Sequence, residues 1–139
     1  MAVDHTLAMR QAVTLFLRAT PSVTSLVPAS RIVGPQVTDP PPQFPFIRYG
    51  MPITSQYEAT RREGSEHAIT IHVFANGPGE DSCANICAAV AAALDDAALT
   101  VATIGNYGID WTGTTIIRDT PESSAYHGIV TFTARTFGL

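Results

Sequence analysis

Lysine is missing from this chain of 139 residues, so all eight basic side chains outside histidine are arginines. That absence excludes a Walker-type phosphate cradle, which needs its lysine, and Schiff-base chemistry, which needs the amine. The formal net charge is −4. A general nucleic-acid coat is excluded with it, because such binding rests on clustered positive charge that neutralises phosphates. Only Arg61-Arg62 forms a dense basic step, and Glu58, Glu63 and Glu66 flank it. Cysteine is scarce as well. Cys83 and Cys87 stand four apart on an expected helix, with Cβ atoms roughly 5–6 Å apart, too far for an easy bridge. They read as reduced, buried small hydrophobes, and no disulfide framework is expected. No apolar run approaches the ~18 residues that a membrane helix requires. The start, Met1-Ala2-Val3-Asp4-His5, lacks a basic region before an apolar stretch. The expectation is therefore a soluble protein made in a cytoplasm, without a secretory signal.

What is present is organised around Glu66 to Leu94. Glu66 to Phe74 alternates with period two and places Ile69, Ile71 and Val73 on one strand face. Ala75-Asn76-Gly77-Pro78-Gly79 breaks the strand, and Asp81 or Ser82 is the expected cap of a helix that runs to about Leu94. On that helix Cys83, Ile86, Cys87, Val90 and Leu94 recur at spacings of three and four, and the alanines between them allow close packing. Upstream, Asp4 is the expected cap of a helix through about Ala19, with Ala8, Met9, Ala12, Val13, Leu15, Phe16 and Leu17 on its broad apolar arc. Thr20-Pro21-Ser22 opens a short helix that Pro28 ends, and Arg31-Ile32-Val33 reads as a brief strand.

From Gly34 to Pro45 the prolines withhold donors and restrict the residues before them, which predicts an extended surface loop. Phe46 to Met51 resumes as a strand, with Pro52 marking an edge or a bulge. The polar run Ile53 to Ser65 lies between two good strands and predicts a long hairpin arm with its tip near Arg61 to Gly64. Later, Thr100 to Ile104 and Ile109 to Asp119 are strand-like, with a turn expected at Gly105-Asn106-Tyr107-Gly108 and another at Thr120 to Ser124. Ala125 to Phe137 alternates as a further strand. The sum is one α+β domain: a mostly antiparallel sheet with helices packed on one face.

The search for chemistry yields little. His67 and His72 are five apart in one strand, face opposite sides and cannot chelate one metal from it. His72 reads as a hydrogen-bonded, half-buried residue. A small metal-dependent hydrolase built from His67, His72, His127 and nearby acids is a remote alternative. Asp95 and Asp96 invite pairing as acid and base, yet neighbours on a helix point about 100° apart and do not converge. Cys87 has no evident activating partner. Gly77-Pro78-Gly79 lacks the third glycine of a phosphate loop, and no serine nucleophile elbow occurs. Neither catalysis nor a cofactor is expected. Surfaces suited to assembly stand out instead: the arm, the proline loop and the strand ending Thr136-Phe137-Gly138-Leu139 promise uncovered edges. Trp111 and Tyr107 are core or interface aromatics, with the core favoured for Trp111.

The order of segments completes the reading. The N-terminal helix and Thr20 to Val27 come first, then Arg31-Ile32-Val33, a proline-rich loop and Phe44-Pro45-Phe46-Ile47-Arg48-Tyr49-Gly50. Gly64 to Phe74, the alanine-rich helix, Arg118-Asp119, Tyr126-His127-Gly128 and Phe132-Thr133-Ala134-Arg135 follow. Together they resemble the tail-completion family of long-tailed bacteriophages and gene transfer agents over nearly the whole chain. The resemblance implies a tail terminator: a ring, typically a hexamer, at the head-proximal end of the tail tube. Such a ring stops tube growth and docks to the head-side connector, with DNA passing through the lumen without specific binding. Its implied partners are further copies of itself, the major tail tube protein and the connector or stopper. Its implied location is the head–tail junction of a virion. The other assembly reading is a head-side adaptor or stopper. In either, Tyr57, Arg61 and Arg62 on the arm are the candidate contacts to a neighbouring subunit or the tube, the arginines pairing with acidic groups there.

Overall fold

The computed structural model describes residues 4–35, 43–59, 62–99, 104–118 and 124–138. The chain opens with helix α1 (Thr6–Arg18), the single turn of α2 (Pro21–Thr24) and a 3₁₀ turn, followed by strands β1 (Ile32–Val33), β2 (Phe46–Tyr49), β3 (Ile53–Ala59) and β4 (Arg62–Asn76). Helix α3 (Asp81–Leu94) and the long strands β5 (Ile104–Arg118) and β6 (Ala125–Gly138) complete it. The strands form one six-stranded sheet in the order β1-β2-β4-β6-β5, with β3 also paired to β4. Every pairing is antiparallel except the short parallel β1–β2 contact.

β4 supplies the alternation that the sequence promises. Ile69, Ile71, Val73 and Ala75 are buried on one face, opposite Phe132, Val130, Gly128 and Tyr126 of β6. Onto this face α3 lays Cys83, Ile86, Cys87, Val90 and Leu94, all buried, while α1 contributes Met9, Ala12, Val13 and Leu17. Gly128 is where α3 comes closest. A Cβ added there would stand 2.2 Å from the Cys87 Sγ and 3.1 Å from the Cys83 Sγ. Both cysteines are free and buried, and a contact with Cys83, together with burial, pushes the Cys87 thiol up.

Several sequence expectations are corrected. Neither Asp81 nor Ser82 caps α3. Both lie in its first turn, and Glu80 is the N-cap, with no side-chain cap bond. The α1 N-cap is His5, and Asp4 acts one residue further out, its Oδ1 accepting the Thr6 N–H at 2.9 Å. Leu15 belongs to no apolar arc, being 64% exposed. Gly105 to Gly108 is no turn. β5 runs through it because β6 pairs along its length, and irregularities at Asn106/Gly108 and Trp111/Gly113 absorb the misfit. The strand ending at Gly138 leaves no edge, since β6 lies between β4 and β5. The loop expected from Gly34 to Pro45 falls partly, and the turn at Thr120 to Ser124 mostly, outside the described residues.

Pro52 sits where its missing donor matters least. β2 and β3 pair with successive parts of the same side of β4, and Gly50-Met51-Pro52 is the break between them.

Candidate functional site

The hairpin expected from the polar run is present: β3 pairs with β4 from Ile53↔Ala68 to Ala59↔Arg62. Arg62 to Gly64, expected at the tip, belong to the strand, and residues 60–61 lie outside the described residues. Tyr57 packs edge-on against Phe137, with ring centroids 5.5 Å apart. The Arg135 guanidinium lies over the Tyr57 ring, 5.1 Å from its centroid, and its Nε donates to Glu66 Oε2 at 3.1 Å. Gly64 makes this close approach possible, because a Cβ at that position would meet the Thr136 carbonyl oxygen at 1.9 Å. Arg61 and the side chain of Arg62 lie outside the described residues, so of the three nominated residues Tyr57 alone has a described environment.

The root of the arm is held by a hydrogen-bonded circuit. Each threonine hydroxyl has one proton to give, which fixes the direction of every step. The Thr6 hydroxyl donates to the Asp4 carboxylate, an acceptor only. Thr54 therefore donates to Thr6 Oγ1 at 2.7 Å, and His67 Nδ1–H donates to Thr54 Oγ1 at 3.2 Å. His67 Nε2 then accepts from Thr136 Oγ1 at 2.9 Å, and Thr136 accepts from His5 Nδ1–H at 2.9 Å. His5 adjoins Asp4, so the circuit closes on the start of α1. It joins α1, β3, β4 and β6 through groups that include the buried Ser65, His67 and Thr136, the His5 N–H reaching Ser65 Oγ at 3.3 Å. Burial, with His5 beside it, pushes His67 down to about 4.

The sheet face away from the helices carries a second group. Phe46 stacks on Phe74 at 4.6 Å, Phe74 on His127 at 4.4 Å, and His127 Nε2 lies 2.7 Å from His72 Nδ1. Arg48 covers Phe46 at 5.7 Å, and its Nε is shielded without a hydrogen-bond partner. His72 is half-buried, and burial lowers its pKa. His67 is on the opposite face, as the five-residue spacing predicts. Among the described residues no three His, Cys, Asp or Glu side chains could hold a metal ion together.

Asp95 and Asp96 also part company. Asp95 Oδ1 accepts the Trp111 N–H at 2.9 Å, whereas Asp96 takes a positive φ of 59° and its N–H bonds the Ile109 carbonyl. This corrects the expectation for Trp111: it is 48% exposed and belongs to no core. Its indole N–H donates to Thr114 Oγ1 at 3.1 Å, and the ring forms one wall of a cleft of about 440 Å³ between α3 and β5. The sequence reading gives Ala88, Ala89, Ala91, Ala92 and Ala93 to close packing, whereas Ala88, Ala91 and Ala92, with Ala84, line the floor of this cleft. Their spacing along one helix stripe was the available signal.

The described residues thus form a small sheet-and-helix domain with a projecting arm and a cleft between α3 and β5. The chain belongs to the family of tail completion protein gp17, whose profile matches residues 11–136. That family is one of structural phage tail proteins, not of enzymes. Among solved structures the chain resembles a chain in the virion of a native gene transfer agent particle, with 21% identity and a TM-score of 0.81 over 98% of this chain and 100% of the other. It also resembles the bacteriophage SPP1 gp17 protein, with 15% identity and a TM-score of 0.56 over 96% and 90% of the two chains. Comparison with curated proteins found no match.

Proposed function

We propose that this protein forms a ring at the head-proximal end of a phage-type tail tube, ends tube growth there and joins the tail to the head. The observation that carries the proposal is family membership over residues 11–136. The fold is in keeping with it. β5 lies at one end of the sheet order and β1 at the other, so each copy offers two different flanks, which is what a head-to-tail ring requires. The helices form the outer wall. The arm carrying Tyr57, Arg61 and Arg62 reaches the neighbouring subunit or the tube below, and acidic groups there receive the arginines. An acidic chain of net charge −4 suits a conduit from which DNA must leave without being gripped.

The test is assembly with and without the protein. Tails made in its absence are expected to vary in length and to fail to join heads, while added protein restores both. Normal tails that still join heads in its absence would remove the proposal. Capping of filled heads in preference to tubes would favour the head-side adaptor instead.

A further inference from the structure

The two flanks of the sheet differ in shape and in charge. On the β1 side, α1 turns outward a ridge formed by Gln11, Leu15 and Arg18, spaced by four and three residues on one helix face, whose flank together with Arg10, Thr14 and Gly34 also walls a hollow of about 350 Å³. Leu15 is 64% exposed at its crest, Arg10 stands beside it, and Arg18, whose Nε and one terminal nitrogen donate to the Ile32 carbonyl at 2.8 and 2.6 Å, keeps its charge at the end of the face; no acidic residue lies within α1. On the β5 side lies the reverse form: the cleft floored by Ala88, Ala91 and Ala92 and walled by Trp111. Asp95 lines its rim and Asp96 follows, both exposed, and α3 carries no basic residue. An exposed leucine between arginines and an alanine-floored cleft ending in two aspartates match in polarity and in sign.

We propose that the α1 ridge of one copy seats in the α3–β5 cleft of the next, Leu15 against the alanines and Trp111, Arg18 facing Asp95 and Asp96. The occupant is a second copy of this chain, because the complementary surface is on the chain itself and on the opposite flank. Contacts of this kind join different surfaces and so propagate around an axis until they close. A half-exposed tryptophan beside small residues is the type of pocket in which binding energy concentrates. Asp95 has a double role: its carboxylate holds the Trp111 backbone in place and offers charge to the incoming arginine. This inference rests on the ring reading above and specifies which surfaces make the ring.

The test uses the chain on purified tail tubes. Leu15→Cys combined with Ala92→Cys, under mild oxidation, is expected to give a ladder of linked subunits on non-reducing gels, forming roughly tenfold faster than any product of either single variant. Leu15→Asp and Ala88→Trp, both at exposed positions and each checked to melt as the wild type does, are each expected to leave the tube end bare. A bare tube end with wild-type protein defeats the ring reading itself. Wild-type rings that persist in both blocking variants, with no ladder from the paired cysteines, overturn the ridge-and-cleft contact alone.

Discussion

His67 shows how far a single side chain's setting departs from what its place in the sequence suggests. Alternation puts it on the same face as Ile69, but not the reason a histidine is tolerated there, which is a pair of threonine partners from β3 and β6. Those partners are 13 and 69 residues away, and no local pattern encodes them. The consequence is a pH dependence. Folded His67 ionises near 4 while an ordinary histidine does so near 6.5. Between these values the unfolded chain binds the extra proton, so stability is full above pH 6.5 and declines as pH falls toward 4. His5 and His72 are also lowered by burial and add in the same direction. In urea titrations across this window, His67→Gln is expected to be less stable at neutral pH but to show a shallower pH slope, by up to about one proton. An unchanged slope would mean that His67 is not the titrating group.

At the scale of elements, α3 and β4 were the most legible because each buries one clean stripe, and the periodicity of Cys83 to Leu94 survives intact in the fold. Legibility failed where pairing partners decide. Gly105-Asn106-Tyr107-Gly108 has turn residues, yet β6 supplies a ladder alongside and holds it extended. Trp111 has core composition, but its backbone is tied to Asp95 at the rim of the sheet. The α3–β6 contact invites its own measurement. Gly128→Ala drives a methyl into the Cys87 sulfur, and overpacking of this sort costs about 1–3 kcal/mol. Adding Cys87→Ala vacates that space and is expected to recover part of the loss in thermal unfolding. If the two changes simply add, α3 does not rest on β6 at that point. On the arm, Arg61→Ala with Arg62→Ala is expected to leave thermal stability within about 0.5 kcal/mol of wild type while weakening attachment of tails to heads. Attachment at wild-type levels would take the arginines out of the mechanism.

For the molecule as a whole, fold class and family were readable, and so was the arm, but the cleft and the hydrogen-bonded root of the arm were not. The resemblance across the chain rests on the order of its segments, which any reader of the sequence can follow. The cleft beside α3 needs β5 to arrive from far along the chain before it exists, and the arm's root needs α1, β3, β4 and β6 at once. Surfaces made by convergence leave only faint marks in linear order, such as the alanine stripe that is both good packing and an open floor.

The placement of β6 between two strands that precede it in the chain has a consequence for biosynthesis. While a ribosome is still adding residues 125–138, β4 and β5 have no common neighbour, and their pairing groups await a strand that has yet to emerge. Sheet closure is therefore a late, long-range event, and long-range closure is the slow part of folding. Until β6 arrives, the side of β4 that it will occupy is an unpaired strand edge, the kind of surface on which a second nascent chain can add.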